Sequence, residues 1–203
     1  MAGDRATVLV PPERLERWVA NFATRHDGVA LVVDDGLRGT APDGSTFHAR
    51  LPFDMAYDGP AQAAAVVAAA APPATWGVLL VRKGGFAVAR LAGTALVEHK
   101  IGQRHVQGRT KAGGQSQQRF ARRRDNQARV AYQAAAEHAA RILRPGPLVT
   151  GGDRTAVVDV MADPRLAGMR VVGPWLAVAD PRRSVLDRAV LDAQSFRVEV
   201  TNA

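Results

Sequence analysis

Cysteine is absent from the 203 residues, which excludes disulfides, a thiolate nucleophile and every cysteine-based zinc site. No run reaches the roughly 18 uninterrupted apolar residues that a membrane span requires. The Met-Ala-Gly-Asp-Arg start lacks the basic-then-apolar pattern of a signal peptide. A cytoplasmic protein with no membrane partner is therefore expected. Histidine is sparse and scattered, at His26, His48, His99, His105 and His138. His99 and His105 could share a strand face, but two histidines without a third ligand make a poor metal site, so no metal and no cofactor are expected. No serine lies in a nucleophile elbow, and Ser116 has no assignable His and Asp partners. The acids Asp34 and Asp35 sit beside Gly36 and read as a turn. Lys83, Gly84 and Gly85 lack a Walker spacing and read as a hairpin turn.

The length fits one domain, or one with a small appended subdomain, and is sufficient to bury a substantial core. With 47% hydrophobic and 23% charged residues the chain has the composition of a folded protein. Its net charge is +8, and the placement of that charge is unusual. Between Glu98 and Arg129 nine basic residues stand against two acidic ones, so that this stretch alone carries +7. Only Lys83, Lys100 and Lys111 of the 27 basic residues are lysine. Arginine suits forked contacts to phosphate and stacking on bases. Charge concentrated in one segment points to a polyanion partner, although a solvated helix face would show the same pattern.

Apolar periodicity predicts an amino-terminal amphipathic helix carrying Leu15, Trp18, Val19 and Phe22. Two strand-like runs, Val29 to Val33 and Thr46 to Phe53, follow as a hairpin, and an alanine-rich helix ends at Pro72 and Pro73. From Thr75 the pattern is a meander of three strands, the last of them long and exposed. A long helix from about Ser116 to Leu143 comes next, then strand, glycine turn and helix capped by Asp153, and a strand, helix, strand ending. This order argues an α/β or α+β fold, a mixed sheet flanked by helices. The expected division is an amino-terminal helix and hairpin subdomain over residues 1–73 and a second domain over 74–203, unless the two are continuous.

One segment stands out, "GRTKAGGQSQQRFARRRDNQ" at residues 108–127. Tandem glycines let a backbone approach a ligand closely, and a basic helix start beside them offers N–H groups and charge to phosphate. Taken as helical, Arg119, Arg122 and Arg123 form one stripe. Glutamine cannot serve as a base, but its amide can donate and accept at once and so hold a water. A loop of this kind suits hydrolysis of an ester already activated by its surroundings. The same residues equally suit a flexible connection with solvated glutamines.

These residues resemble the catalytic loop and following helix of the Vms-like release-factor family, whose bacterial members are largely actinobacterial and whose catalytic domain is similar to that of eukaryotic and archaeal class I release factors. The likeness is closest over about 40 residues from His99 into the long helix. The family motif, a glycine, two variable residues and a glutamine, places its glycines on Gly113 and Gly114, its serine on Ser116 and its working glutamine on Gln117. Gln115 stands where bacterial members often carry an aromatic residue, and Gly113-Gly114-Gln115 also reproduces the Gly-Gly-Gln of the release factors. Ser116 and the arginines that follow favour Gln117. The resemblance implies a release-factor-like catalytic domain and a peptidyl-tRNA hydrolase that frees nascent chains on stalled or obstructed large ribosomal subunits. Arg109, Lys111, Arg119, Arg122, Arg123 and Arg124 would hold phosphates of tRNA or large-subunit RNA. The alternatives are a non-catalytic RNA- or ribosome-binding module and a nuclease acting near the tRNA acceptor end.

Overall fold

A computed structural model describes residues 5–83, 85–103 and 129–203. The architecture is mixed α+β, with two five-stranded sheets in two units: residues 1–72 with 190–203, and residues 73–189.

In the first unit the strands are β1 (Arg5–Val10), β2 (Ala30–Val33), β3 (Leu37–Thr40), β4 (Thr46–Arg50) and, from the far end of the chain, β10 (Phe196–Thr201). Their order is β1-β10-β4-β3-β2, and every pairing is antiparallel. The hairpin expected between the two apolar runs thus has a third strand, β3, inserted in it. Asp34 and Asp35 do form a turn, between β2 and β3; Asp35 and Gly36 have positive φ, and the two acids pair with Arg38 and Arg50. Helix α1 (Pro12–Arg25) opens on proline, which suits a first turn because its missing N–H has no partner to lose. It buries Leu15, Val19 and Phe22, one stripe at helical spacing. Trp18 and Phe22 meet the Phe47 ring edge-on at 5.1 and 5.0 Å between centroids. With Leu37, Phe196, Val198 and Val66 of α2 (Ala63–Ala69) these side chains make one apolar core.

The end of α1 is fixed by chemistry as well as packing. His26 Nδ1 lies 2.7 Å from Asp43 Oδ2, and the Ser45 N–H donates to the other oxygen of the same carboxylate at 2.8 Å. The hydrogen bond to His26, then that from Ser45, holds the Asp43 carboxyl below the usual aspartate range. Because the folded value lies below the unfolded one, the associated stability is present above about pH 4 and is lost as pH falls through the folded value. Asp43→Asn is therefore expected to flatten the acid limb of a thermal-melt series run downward from pH 5. A variant with the full wild-type acid slope would place that dependence elsewhere.

The second unit holds β5 (Trp76–Arg82), β6 (Gly85–Ala92), β7 (Ala95–Gln103), β8 (Gly146–Gly152) and β9 (Met169–Val171). Their order is β7-β6-β5-β8-β9; β5, β8 and β9 run parallel, while β6 and β7 are antiparallel to their neighbours. This is the mixed sheet that the element order predicts. Helix α3, helical over 129–142, and α4 (Arg154–Met161) cover one face. Leu79, Val81, Phe86, Val88 and Leu148 meet Ala135, Ala139, Ile142 and Val160 there, all of them buried. Period-2 alternation in the strands and small residues on the helix let the backbones approach closely. Helix α5 (Arg183–Ala193) then leads to β10.

Candidate active site

The candidate residues Gly113, Gly114, Gln115, Ser116 and Gln117, and with them Arg109, Lys111, Arg119, Arg122, Arg123 and Arg124, lie outside the described residues. So does the expected first half of the long helix. Their surroundings are described on both sides, by β7 before them and α3 after them.

The edge of the sheet at which the segment begins follows from strand register. Gln103 at the end of β7 stands opposite Gly85, which itself pairs with Arg82 at the end of β5. The segment therefore begins at the carboxyl-terminal edge of the parallel strand β5. Helix α3 is oriented to resume at that same edge. Its far end lies at the other edge, where Leu143 packs over Gly77 and the Arg90 Nε donates to the Ile142 carbonyl at 3.0 Å. The Arg144 guanidinium adds bonds to the carbonyls of Arg141 and Leu143 at 3.0 and 2.8 Å, satisfying groups that a helix end leaves unpaired. Near its beginning, Tyr132 feels Asp153 of the β8–α4 turn; burial first, and then Asp153 and Asp159, raise its phenol above the ordinary value. In open α/β sheets the carboxyl ends of the parallel strands are where ligand sites form.

That edge is built tightly. Asp153 caps α4, accepting from the N–H groups of Thr155 at 3.1 Å and Ala156 at 3.4 Å. Its own N–H donates to the Val81 carbonyl at 2.7 Å, and the Gly152 N–H to that of Leu176 at 2.9 Å. Gly152 has φ of +100°, and a Cβ there would run into the Val81 carbonyl oxygen. Gly152→Ala combines a left-handed conformation with that clash and is expected to destabilise by more than about 2 kcal/mol, read from urea unfolding. A loss below about 0.5 kcal/mol, within the range of ordinary surface changes, would mean the turn has room to relax.

Along β7 two sets of side chains alternate across the faces. On the α3 side, Glu98 lies 3.4 Å from both the Arg90 and Arg141 guanidinium groups. Near it, the His138 ring stacks on Phe86 with centroids 5.6 Å apart. Burial, followed by the charges of Lys100 and Arg141, holds the His138 imidazole below the ordinary histidine value. On the other face the His99 Nε2 lies 3.2 Å from the Arg183 guanidinium. Lys100, Arg141 and Arg183 thus extend positive charge into the described part of the unit. Arg141 and Arg183 fall outside the basic run that the sequence marks, because the fold rather than the chain brings them beside β7. The remaining histidines serve local structure: His26 holds Asp43, and His48 Nε2 approaches the Asp35 carbonyl at 3.2 Å. His105 lies outside the described residues, and among those described no group of three potential ligands could hold a metal ion. Nor is any helix among them long and apolar enough to cross a membrane.

No curated protein matches. Among solved structures the chain is similar to an archaeal translation termination factor, aRF1, at 11% identity and a TM-score of 0.40; the match covers 96% of this chain and 65% of that one. The chain thus spans just under two thirds of the length of that structure. Residues 74–199 match the profile of the family described as the Actinobacteria/chloroflexi VLRF1 release factor. The match takes in all of β5 to β9, α3 to α5 and the glycine-glutamine segment, and the chain belongs to this release-factor family.

Proposed function

We propose that the protein hydrolyses the ester between a nascent peptide and the terminal adenosine of tRNA, releasing peptide from stalled or obstructed large ribosomal subunits. The observation that carries this reading is the position of Gly113-Gly114-Gln115-Ser116-Gln117 inside the matched residues 74–199. The loop backbone lies close to the substrate, and the glutamine amide of residue 117 holds a water against the ester carbonyl. The substrate's own ribose hydroxyl relays the proton to the leaving oxygen. No protein group needs to titrate near neutrality in this scheme, so positioning and orientation supply much of the acceleration. Arg109, Lys111, Arg119, Arg122, Arg123 and Arg124 hold RNA phosphates and place the acceptor end. The protein acts in the cytoplasm and needs no cofactor.

Two other outcomes are chemically distinct. Purified peptidyl-tRNA, free and on large subunits, is incubated with the protein and the RNA product is identified. Free peptide with an intact acceptor end is the expected result. A shortened RNA would make the protein a nuclease, and salt-sensitive binding without product would make it a binding module.

A further inference from the structure

The first unit carries a second surface with the features of a binding site, and it does not depend on the proposed hydrolysis. Strand β1 closes one side of its sheet. It pairs with β10 alone, so among the described residues the six residues Arg5–Val10 present an unpartnered backbone edge. Natural sheets cover, shorten or charge such edges because they template the addition of another strand. Here the only charged residue in β1 is Arg5, and Val8 is 39% exposed.

The edge is continuous with a groove of about 400 Å3 between β1 and α1. Val8 and Val10 stand opposite Val198 and Phe196, both buried in the core, and directly opposed residues of an antiparallel pair share a face. Their side chains therefore lie on the side of the sheet that α1 covers. The helix lines the other wall with Arg14, Arg17, Trp18 and Asn21, positions i, i+3, i+4 and i+7 that make one stripe. This stripe is distinct from the buried one, Leu15, Val19 and Phe22. Trp18 is held in place by its contacts with Phe22 and Phe47. Neither Arg14 nor Arg17 makes an ion pair among the described residues, although α1 also carries Glu13 and Glu16. The groove thus combines an open strand edge, an apolar floor and two guanidinium groups that make no ion pair among the described residues.

We infer that the free edge of β1 and the groove beside α1 dock an extended, acidic segment of a partner protein, which adds to the sheet as a further strand. Backbone hydrogen bonds to β1 supply the general affinity, and the side chains on one face of the segment supply the choice. Alternate positions face the groove: an apolar side chain rests on Val8 and Trp18, and flanking carboxylates meet Arg14 and Arg17. A negatively charged segment is selected because a neutral one leaves both guanidinium groups unmatched.

The test uses the full chain and a capped peptide as long as β1, Glu-Thr-Leu-Thr-Glu-Thr, whose groove face reads acid, leucine, acid. Saturable binding by fluorescence anisotropy is expected, with amide shifts in nuclear magnetic resonance spectra confined to β1 and α1. Replacing both glutamates by glutamine, or making Arg14→Glu with Arg17→Glu in the protein, is expected to weaken binding at least about tenfold. Methylating the peptide's alternate backbone nitrogens is expected to abolish it. Arg14 and Arg17 are exposed, so a circular-dichroism spectrum identical to wild type accompanies the loss. Absence of saturable binding up to about 1 mM overturns the inference. So does preferential binding of a single-stranded RNA oligomer at these residues, or a concentration-dependent dimer formed through β1.

Discussion

Gln117→Ala is expected to lower the rate of peptide release by about a hundredfold or more while leaving the affinity for tRNA within about twofold of wild type. The asymmetry follows from the role of the amide. In the proposed mechanism it holds the attacking water, so its loss is felt in the transition state and hardly in the ground state. Gln115→Ala should cost much less, because only Gln117 stands in the Gly-x-x-Gln register with Ser116 beside it. A reversed order, with Gln115→Ala the damaging change, would place the water on the Gly-Gly-Gln register instead. Gln117→Glu is a useful companion: a carboxylate accepts hydrogen bonds but donates none at neutral pH, so a water-orienting amide is not replaced by it.

Arg122→Glu combined with Arg123→Glu is expected to act on the other side of that division. If these arginines hold RNA phosphates as proposed, reversing both charges removes two such contacts and adds repulsion. At low salt RNA affinity should fall by about a hundredfold, and the slope of log affinity against log salt should flatten by about 2. Release at saturating protein should then stay close to wild type. Unchanged binding at low salt would make Arg122 and Arg123 part of a solvated face. The described cations at β7 are a built-in comparison. Arg141 is engaged by Glu98, and Arg183 contacts His99 and pairs with Asp187, so reversing either of them disturbs structure as well as charge.

The candidate site is proposed from the sequence alone, because the chemistry that marks it is local. Two glycines, three glutamines and a train of arginines within about a dozen positions are unusual in composition and need no tertiary contact to be noticed. The helices were equally plain: α1 through the spacing of Leu15, Val19 and Phe22, and α4 through the Asp153 cap. Strands were less so. β1 shows little alternation of burial, since as an edge strand it is exposed along most of its length. β3, Leu37–Thr40, reads as a turn because Gly39 stands in it; that glycine gives room to the Phe47 ring on the neighbouring strand. The partnership of β10 with β1 and β4 joins opposite ends of the chain and has no local signature at all. The same holds for the meeting of Lys100, His138 and Arg141, which depends on α3 lying across β6 and β7.

The two units make separable demands. Gly152 and the core under α3 belong to residues 73–189, which include the glycine-glutamine segment. The aromatic cluster of Trp18, Phe22 and Phe47, the His26 to Asp43 bond and the β1 groove belong to the other unit. Charge reversal at Arg14 and Arg17 should therefore leave hydrolysis of free peptidyl-tRNA unchanged, whereas changes at Gln117 should leave peptide docking on β1 unchanged.

The most direct measurement of the central claim is single-turnover release of labelled peptide from peptidyl-tRNA held on large ribosomal subunits, comparing wild type with the Gln115→Ala, Gln117→Ala double variant. Wild type is expected to release the peptide with an intact tRNA acceptor end, and the double variant to release none above background. Equal release by the two proteins would contradict that claim.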